Sequence, residues 1–133
     1  MPLQLAIVTP RAEALAIECA EVVIPGSTGE LDLMPGHLPL VTTLRPGVLT
    51  VSKDGRRDHY AVGSGYAEID DDRVTVLTEA CLAADQVDVD EARSDLESAE
   101  KAMAGTGPVD DDFDENARSA AWARARLEVR ERR

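Results

Sequence analysis

Glu30 and His37 are an acid and an imidazole that could do chemistry at the surface of this chain. They lie within residues 22–48, an apolar segment that three Pro-Gly pairs divide into pieces of strand length. These pairs are Pro25-Gly26, Pro35-Gly36 and Pro46-Gly47. Because proline presets φ for a turn and glycine accepts positive φ, each pair predicts a turn. We therefore expect Glu30 and His37 on loops, where a partner can reach them.

A small hydrolase or metal enzyme is one use of these groups, with Cys19 or Cys81 as a thiol. Nothing in the spacing brings them together, and the sequence has no Gly-x-x-x-x-Gly-Lys phosphate loop and no Cys-x-x-Cys pair. His37 and His59 are too few imidazoles for a recognisable zinc site. We predict no catalytic residue and no metal site. Both cysteines lie in apolar segments, which favours free thiols that pack as small hydrophobes.

Charge and composition exclude several classes of partner. The 133 residues carry a formal charge of -12, so the chain lacks the basic face that binds a phosphate backbone, and we predict no nucleic-acid partner. Aromatic residues make up only 3% of the chain, so the core must consist of Val, Leu, Ile and Ala. No apolar run approaches the ~18 residues of a membrane span, and no basic leader opens the sequence. We expect no insertion into a membrane.

Short strands separated by tight turns are the pattern of the first part of the chain. Alternating apolar residues over 3–7 predict a first strand, and Asp54-Gly55 between polar flanks is a strong hairpin signal. Turn signals recur about every ten residues from 9 to 72, the spacing of an all-β sandwich or barrel. We therefore predict a β domain over residues 1–84.

Two amphipathic helices are predicted to follow. Apolar residues at alternating spacings of three and four form a seam that faces one neighbouring helix. The seam consists of Val89, Ala92, Leu96, Ala99 and Met103. Asp88 is the expected N-cap of the first helix, and Asp112 repeats this signal before the second. Because the connector is short, the helices should form an antiparallel hairpin, which we assign to residues 85–133.

Charge is divided between these helices. Residues 88–115 carry eleven acidic and two basic side chains, whereas residues 116–133 carry six arginines and two glutamates. Either the helices complement each other, or the arginines meet an acidic partner. The arginines are Arg118, Arg124, Arg126, Arg130, Arg132 and Arg133. Because ordering costs about 1 to 2 kcal/mol per residue, we expect the hairpin to depend on docking and to be movable.

The order of the motifs resembles the epsilon subunit family of bacterial F-type ATP synthases, which is related to the mitochondrial delta subunit. The resemblance is carried by Pro25-Gly26 with Gly29-Glu30, by Pro35-Gly36-His37-Leu38-Pro39-Leu40-Val41-Thr42, by Leu44-Arg45-Pro46-Gly47, and by Gly63-Ser64-Gly65-Tyr66-Ala67-Glu68 through Val74-Thr75-Val76-Leu77. It spans the whole chain and includes the helical pair. It implies an α+β fold, with an N-terminal ten-stranded β-sandwich followed by a C-terminal antiparallel two-helix hairpin.

The same resemblance implies a function without catalysis. Members are rotor subunits of the central stalk, in which the sandwich joins the gamma subunit to the membrane-embedded c-ring. Glu30 and His37 match the family's Gly-Glu and Pro-Gly-His motifs, which contact the ring loop. Their structural alternatives are turn capping by Glu30 and a backbone hydrogen bond from His37. The implied location is peripheral, at the cytoplasmic face of the bacterial inner membrane.

Two regulatory roles are implied for the hairpin. It can extend to the alpha and beta catalytic subunits and block ATP hydrolysis, and Arg124, Arg126 and Arg130 are our candidates for that contact. Some members bind ATP through an Ile/Leu-Asp-x-x-Arg-Ala motif, of which this chain keeps Asp90 and Arg93. Arg118 and Arg126 are candidates for further phosphate contacts. The alternative for the motif is structural, with Asp90 at the helix N-terminus and Arg93 paired with Glu97.

Two other functions compete with this one. The first is a free-standing β-sandwich adaptor with an acidic helical tail, which differs only in its partner. The second is the small hydrolase with His37 and Glu30. We expect no resident cofactor, and a regulatory ATP is the one ligand that the resemblance suggests.

Overall fold

Ten strands form the first part of the chain in the computed structural model, which describes residues 2–132. The strands are β1 Leu3–Val8, β2 Glu13–Cys19, β3 Glu21–Gly26, β4 Gly29–Leu33, β5 Leu40–Leu44, β6 Gly47–Lys53, β7 Arg56–Val62, β8 Gly65–Asp70, β9 Arg73–Thr78 and β10 Cys81–Ala83. The predicted ten-stranded sandwich is confirmed. The division into residues 1–84 and 85–133 stays a prediction, and its end residues 1 and 133 lie outside the described part.

The strands pair in the order β10-β7-β6-β3-β5-β8-β9-β1-β2, and β4 pairs with β3 beside this path. Among the described strands, every pairing is antiparallel except that of β1 with β9. The parallel pair joins Gln4 to Arg73 and Val8 to Leu77. This pairing joins β1 to β9, which lies about 70 positions later in the sequence. The sandwich is therefore completed by a long-range contact.

The core of the sandwich is aliphatic, as the composition predicted. Alternate residues of each strand point inward, as in β1, where Leu3, Leu5 and Ile7 are buried. The same cluster includes Cys19 and large side chains from most other strands. These include Val22, Ile24, Leu33, Leu49, Val51, Val62, Ile69, Val74 and Val76. Each fully buried aliphatic side chain contributes roughly 1.5 to 3 kcal/mol.

Two hairpin turns of the sandwich use residues with positive φ. Asp54 and Gly55 have φ values of 52° and 78° between β6 and β7, which confirms the predicted hairpin. Asp71 and Asp72 have φ values of 51° and 60° between β8 and β9. Positive φ at both central residues is the pattern of a type I′ turn, whose twist matches that of the flanking strands.

The helices begin where the capping residues predict. A short 3-10 helix over Ala84–Gln86 leads to α1 Val89–Ala104, and α2 spans Phe113–Arg132. Asp88 is the N-cap of α1, and its Oδ1 accepts a hydrogen bond of 3.1 Å from the backbone N–H of Glu91. This bond satisfies one of the free N–H groups of the first turn.

The helices form the predicted antiparallel hairpin. The ion pairs Asp95–Arg126 and Glu100–Arg124 advance along α1 while they retreat along α2. Helix α1 packs on α2, with Ala92 and Ala99 of the predicted seam buried.

Helix α2 alone packs extensively on the sandwich, against β6 and β7. This docking contact joins Val48 and Ala61 of the sandwich to Val87, Ala125 and Val129. The hairpin is therefore folded down onto the sandwich. Within residues 2–132, α2 supplies most of the hairpin's contact with the sandwich, and Val89 at the start of α1 packs at the edge of the same cluster.

Both cysteines are free thiols, as expected from their apolar segments. Cys19 is buried in the sandwich core, and Cys81 is half-buried on β10. Burial raises the pKa of the Cys81 thiol to about 11, so it is protonated at neutral pH and is a poor nucleophile.

Candidate functional site

Glu30 lies in a strand, and its predicted loop position is therefore wrong. It is the second residue of β4, where it pairs with Pro25 of β3 just after the Gly26–Gly29 turn. Strand β4 already begins at Gly29, which has a φ of 138°. Glu30 follows it in the strand and is therefore extended. Its side chain is exposed and, within residues 2–132, has no hydrogen-bond or ion-pair partner. The turn-capping alternative for Glu30 is therefore not realised.

His37 lies in the loop between β4 and β5, as predicted. We call residues 34–39 the His37 loop. Its backbone N–H donates to the carbonyl of Met34 over 3.1 Å, and Nδ1 lies 2.7 Å from the carbonyl oxygen of Leu38. The second contact is the backbone hydrogen bond of the structural alternative, with Nδ1 as donor. It leaves Nε2 as the nitrogen available to a partner.

The His37 loop and Glu30 are separate features. Glu30 lies three positions before Leu33, the last residue of β4, and three steps of extended strand span about 10 Å. No hydrogen bond or ion pair joins Glu30 to His37 in the described part of the chain. They would therefore meet a partner at two points.

Apolar side chains surround His37 on the surface. Met34 is 49% exposed and Leu38 is 79% exposed. On the other side, the carboxylate of Asp72 accepts a hydrogen bond of 2.8 Å from the backbone N–H of Gly36. The loop thus presents an imidazole between apolar groups and is attached to the turn that joins β8 to β9.

A second exposed apolar surface was missed by the sequence reasoning. Val41, Tyr66 and Leu77 are 66%, 58% and 50% exposed on β5, β8 and β9. Tyr66 pairs with Leu77, and Leu77 pairs with Val8 of β1. We call these four residues the outer apolar stripe. The sequence did contain a signal for this surface. Apolar residues occur at the alternate strand positions that face away from the core, where polar residues are expected.

A groove of about 680 Å³ runs beside this stripe. Val8, Tyr66 and Leu77 line it, together with Arg118 of α2. The stripe and the groove lie on the outer surface of the sandwich, where apolar contact with water is unfavourable. This arrangement favours a binding surface.

The four residues proposed for a nucleotide lie on different surfaces. Arg93 lines a groove on the outer side of α1, Arg118 lines one between α2 and the sandwich, and Arg126 lines one between the two helices. Asp90 is exposed in the first turn of α1, which agrees with its structural alternative. The predicted Arg93–Glu97 pair is absent from the described residues, since Glu97 pairs with Lys101 at 3.0 Å.

Arg126 has a structural role in this conformation. Its side chain is 9% exposed, and Nη2 lies 2.9 Å from Oδ2 of Asp95. The guanidinium carbon lies 5.3 Å from the centroid of the Trp122 ring, within the range of a cation–π contact. Nε also donates to the Trp122 carbonyl over 3.4 Å. Sequence reasoning missed this burial, because Asp95 lies 31 positions away.

The other arginines proposed for an inhibitory contact differ in exposure. Arg130 donates through Nη1 to the carbonyl of Ala84 over 3.1 Å, which attaches α2 to the segment before α1. Arg124 is exposed, and its pair with Glu100 is 4.0 Å long. Arg133 lies outside the described residues. Of the three candidates, Arg124 alone is presented to solvent as the sequence reasoning assumed.

His59 lies beneath the end of α2. Its Nδ1 is 2.8 Å from Oγ1 of Thr50, and burial is the largest cause that lowers its pKa below 6.5. The charge of Arg132 lowers the pKa further, while Asp58 opposes this effect. His59 is therefore neutral near pH 7.

No group of three or more His, Cys, Asp or Glu side chains suited to a metal occurs in residues 2–132. Neither described helix is both long and apolar enough to cross a membrane. The exposed residues lie at a loop, a strand end and an outer sheet face. A ten-stranded sandwich with a docked helical hairpin and such surfaces defines a protein built to bind partners.

Comparison with known sequences identifies the family. Residues 2–84 match the family described as the beta-sandwich domain of the ATP synthase Delta/Epsilon chain. The chain is 38% identical to the ATP synthase epsilon chain of Geobacter metallireducens, over 96% of this chain and 92% of the relative. It is also 38% identical to that of Anaeromyxobacter sp. strain K, over 97% and 98%. The chain belongs to the ATP synthase epsilon chain family.

Solved structures share this fold at low identity. A chain in the cryo-EM structure of the Euglena gracilis mitochondrial ATP synthase matches with a TM-score of 0.80 at 22% identity, over 96% of this chain and 80% of that one. A chain in the Tetrahymena thermophila mitochondrial ATP synthase central stalk and c-ring structure matches with a TM-score of 0.62 at 14% identity, over 98% and 97%. These likenesses establish the architecture, including the hairpin.

Proposed function

We propose that the chain is a central-stalk subunit whose sandwich joins the gamma subunit to the c-ring of an F-type ATP synthase. Family membership supports this role, and the observation that carries it is the exposed His37 loop. A rotor joint must bind two partners at once, and the sandwich has two exposed surfaces. The subunit would sit peripherally at the cytoplasmic face of the bacterial inner membrane, attached through its partners.

The ring contact is assigned to the His37 loop and to Glu30. With Nδ1 donating to Leu38, His37 Nε2 can accept a hydrogen bond from a polar loop of the ring, and so can the exposed Glu30 carboxylate. Met34 and Leu38 add apolar area that a protein contact would bury. A contact of this composition, with apolar groups around a few oriented polar ones, is typical of a protein interface.

We assign the contact with the gamma subunit to the outer apolar stripe. Exposed Val41, Tyr66 and Leu77 on adjoining strands form an apolar surface, and tyrosine is a frequent anchor in interfaces. The stripe is built on strands and is therefore rigid. A rigid surface loses little conformational entropy on binding, which suits a permanent attachment.

Binding measurements with purified partners test both assignments. We expect His37→Ala and Glu30→Ala to weaken binding of the full chain to the c-ring about tenfold each, and Tyr66→Ser to weaken binding to gamma. Glu97→Ala and Val109→Ser are matched controls, since they remove an exposed acid and an exposed apolar group on the hairpin. If all variants bind as wild type does, the free-standing adaptor is the better account. Turnover that depends on His37 would instead favour the hydrolase.

We also propose that the hairpin inhibits ATP hydrolysis when it leaves the sandwich. In the docked conformation Arg126 pairs with Asp95 of α1, and Arg130 donates to the Ala84 carbonyl before α1. An extension that separates the two helices would release both cations for an acidic segment of the catalytic subunits. Deletion of residues 88–133 should leave assembly intact and raise hydrolysis by the catalytic head. Unchanged hydrolysis would remove the inhibitory role.

For the docked hairpin we propose regulation without bound ATP. Asp90, Arg93, Arg118 and Arg126 would have to converge on one phosphate chain, and their separation over three surfaces supports a structural role for each. Equilibrium dialysis with ATP tests this proposal. Saturable binding that Arg126→Ala and Arg93→Ala both abolish would overturn it.

A further inference from the structure

We infer that Asp72 is a positioning residue that holds the His37 loop, and therefore His37, in the orientation from which it meets the ring. This inference rests on the proposed function. It concerns a residue of the turn between β8 and β9, 35 positions away from His37 in the sequence. Its basis is the hydrogen bond of 2.8 Å from the Gly36 backbone N–H to Oδ1 of Asp72.

The two hairpin turns of the sandwich explain why an aspartate is notable at this position. Both turns have positive φ at their two central residues, and the first turn has Gly55 at the second place. Glycine is preferred there because it has no Cβ. At the equivalent place the second turn has Asp72, at a φ of 60°. Asp72 therefore occupies a position where glycine would be less strained, and its carboxylate accepts the hydrogen bond from the His37 loop.

Asp72 is itself held firmly by the sandwich. Its carbonyl oxygen accepts a hydrogen bond of 2.9 Å from the backbone N–H of Gln4 on β1. The turn closes the β8–β9 hairpin, in which Asp70 pairs with Arg73. The carboxylate therefore extends from a rigid part of the sheet. It can transmit that rigidity to a loop that lacks strand pairing of its own.

The bond acts at the residue next to His37. Gly36 has a φ of 86°, which directs its N–H toward the β8–β9 turn, and the following N–H of His37 closes the loop onto Met34. A charged acceptor strengthens such a bond. Without the carboxylate, the loop would keep the Met34 contact but lose its attachment to the sheet. His37 would then sample several orientations, and binding to the ring would carry the cost of ordering it.

Three variants of the full chain test this inference. Asp72→Gly removes the carboxylate and accepts positive φ, so it should fold at least as well as wild type. Asp72→Asn keeps a side-chain oxygen that can accept the Gly36 bond and should rescue the function. Asp71→Gly is the matched control, because Asp71 has a φ of 51° in the same turn, and its side chain makes no hydrogen bond to the loop in the described structure.

The first readout is NMR relaxation of the isolated chain. In Asp72→Gly we expect the order parameters of the amides at 36–38 to fall from about 0.85 to below about 0.6, with the rest of the sandwich unchanged. The second readout is affinity for the assembled gamma and c-ring, which we expect to fall about fivefold to tenfold. Asp72→Asn and Asp71→Gly should stay within about twofold of wild type.

Parallel measurements on His37→Ala separate the inference from the proposed function. If His37→Ala weakens binding and Asp72→Gly does not, the positioning role of Asp72 is overturned while the ring contact stands. If His37→Ala binds as wild type does, the ring contact is wrong, and the inference is overturned with it. Rigid amides at 36–38 in Asp72→Gly would also overturn it.

Discussion

The sandwich and the hairpin are held by different kinds of contact. The sandwich encloses a continuous cluster of Leu, Ile and Val side chains, most of them fully buried. The docking contact of the hairpin is smaller, and alanine supplies half or more of the buried residues on each helix. Burial of a large aliphatic side chain is worth roughly 1.5 to 3 kcal/mol, against about 0.8 kcal/mol for one methylene-sized group.

This difference supports the proposal that the hairpin can move while the sandwich stays permanently folded. The sandwich resists unfolding because every strand shares one core. The two helices are held to each other by small residues and by polar pairs such as Asp95–Arg126, whose hydrogen bonds water could replace if the helices separated. The experiments below test whether the two regions are independent.

The largest expected effect comes from the sandwich core. Leu49 is fully buried, and Leu49→Ala should lower the free energy of unfolding by about 2 to 5 kcal/mol, because the cavity cannot be filled. Urea unfolding measures this change, with the exposed Leu38→Ala as control. A loss below 1 kcal/mol would show that the core is less tightly packed than described.

The next effect should be confined to the hairpin. Arg126→Ala should weaken the packing of α1 on α2 by about 1 to 2 kcal/mol, since it removes a charge-assisted hydrogen bond to Asp95, whose carboxylate is half exposed and partly screened. Amide hydrogen exchange should report faster opening of α1 and α2 with an unchanged sandwich. Arg124→Ala is the control, with an expected change below about 0.5 kcal/mol. Equal losses in the sandwich would refute the independence of the two regions.

A smaller effect is expected at the start of α1. Asp88→Ala removes the N-cap and should destabilise that helix by about 1 kcal/mol. Exchange of the first-turn amides measures the change, and Asp111→Ala in the connector is the control. If the exchange protection of α1 is unchanged, water replaces the hydrogen bond from Asp88 without a loss of helix stability.

The smallest effect is a pH dependence of the docked state. The pKa of His59 lies below 6.5 because of burial first and the charge of Arg132 second, with Asp58 and Glu128 raising it and Arg57 lowering it. The folded state thus favours neutral His59. Its contribution is fully present above pH 6.5 and is lost as the pH falls through the folded pKa.

An NMR titration of His59 tests this coupling. Because Arg132 belongs to α2, the pKa of His59 should rise toward 6.5 in Val129→Ser, where the docking contact loses a buried aliphatic side chain. His59→Gln should flatten the pH dependence of stability below about pH 6.5. A pKa that is the same in both chains would show that the helix does not reach His59.

Much of the fold was predictable because its signals are local. Asp54-Gly55 specified a hairpin, and Asp88 specified a helix start, through the conformations that these residues favour. The pairing of β1 with β9 was not predictable from local pattern, since any two apolar strands could pair. Register between distant strands is decided by the whole core.

Less of the candidate site was predictable. His37 was placed on its loop by a Pro-Gly turn, whereas Glu30 was misplaced because β4 already begins at Gly29. The outer apolar stripe required knowledge of which face of each strand is buried. The burial of Arg126 could not be predicted without knowing that Asp95 is its partner. A helical arginine ordinarily indicates an exposed face.

The parallel pairing of β1 with β9 also fixes an order of events during synthesis. The sandwich cannot close until translation has passed Thr78, the end of β9, and α2 ends only at Arg132. At about 5 to 20 residues per second, the ribosome needs several seconds more to complete the hairpin. Each nascent chain therefore has time to close its sandwich while Val48 and Ala61 are still uncovered. A chaperone that shields this surface during translation would have a target that the finished subunit no longer offers.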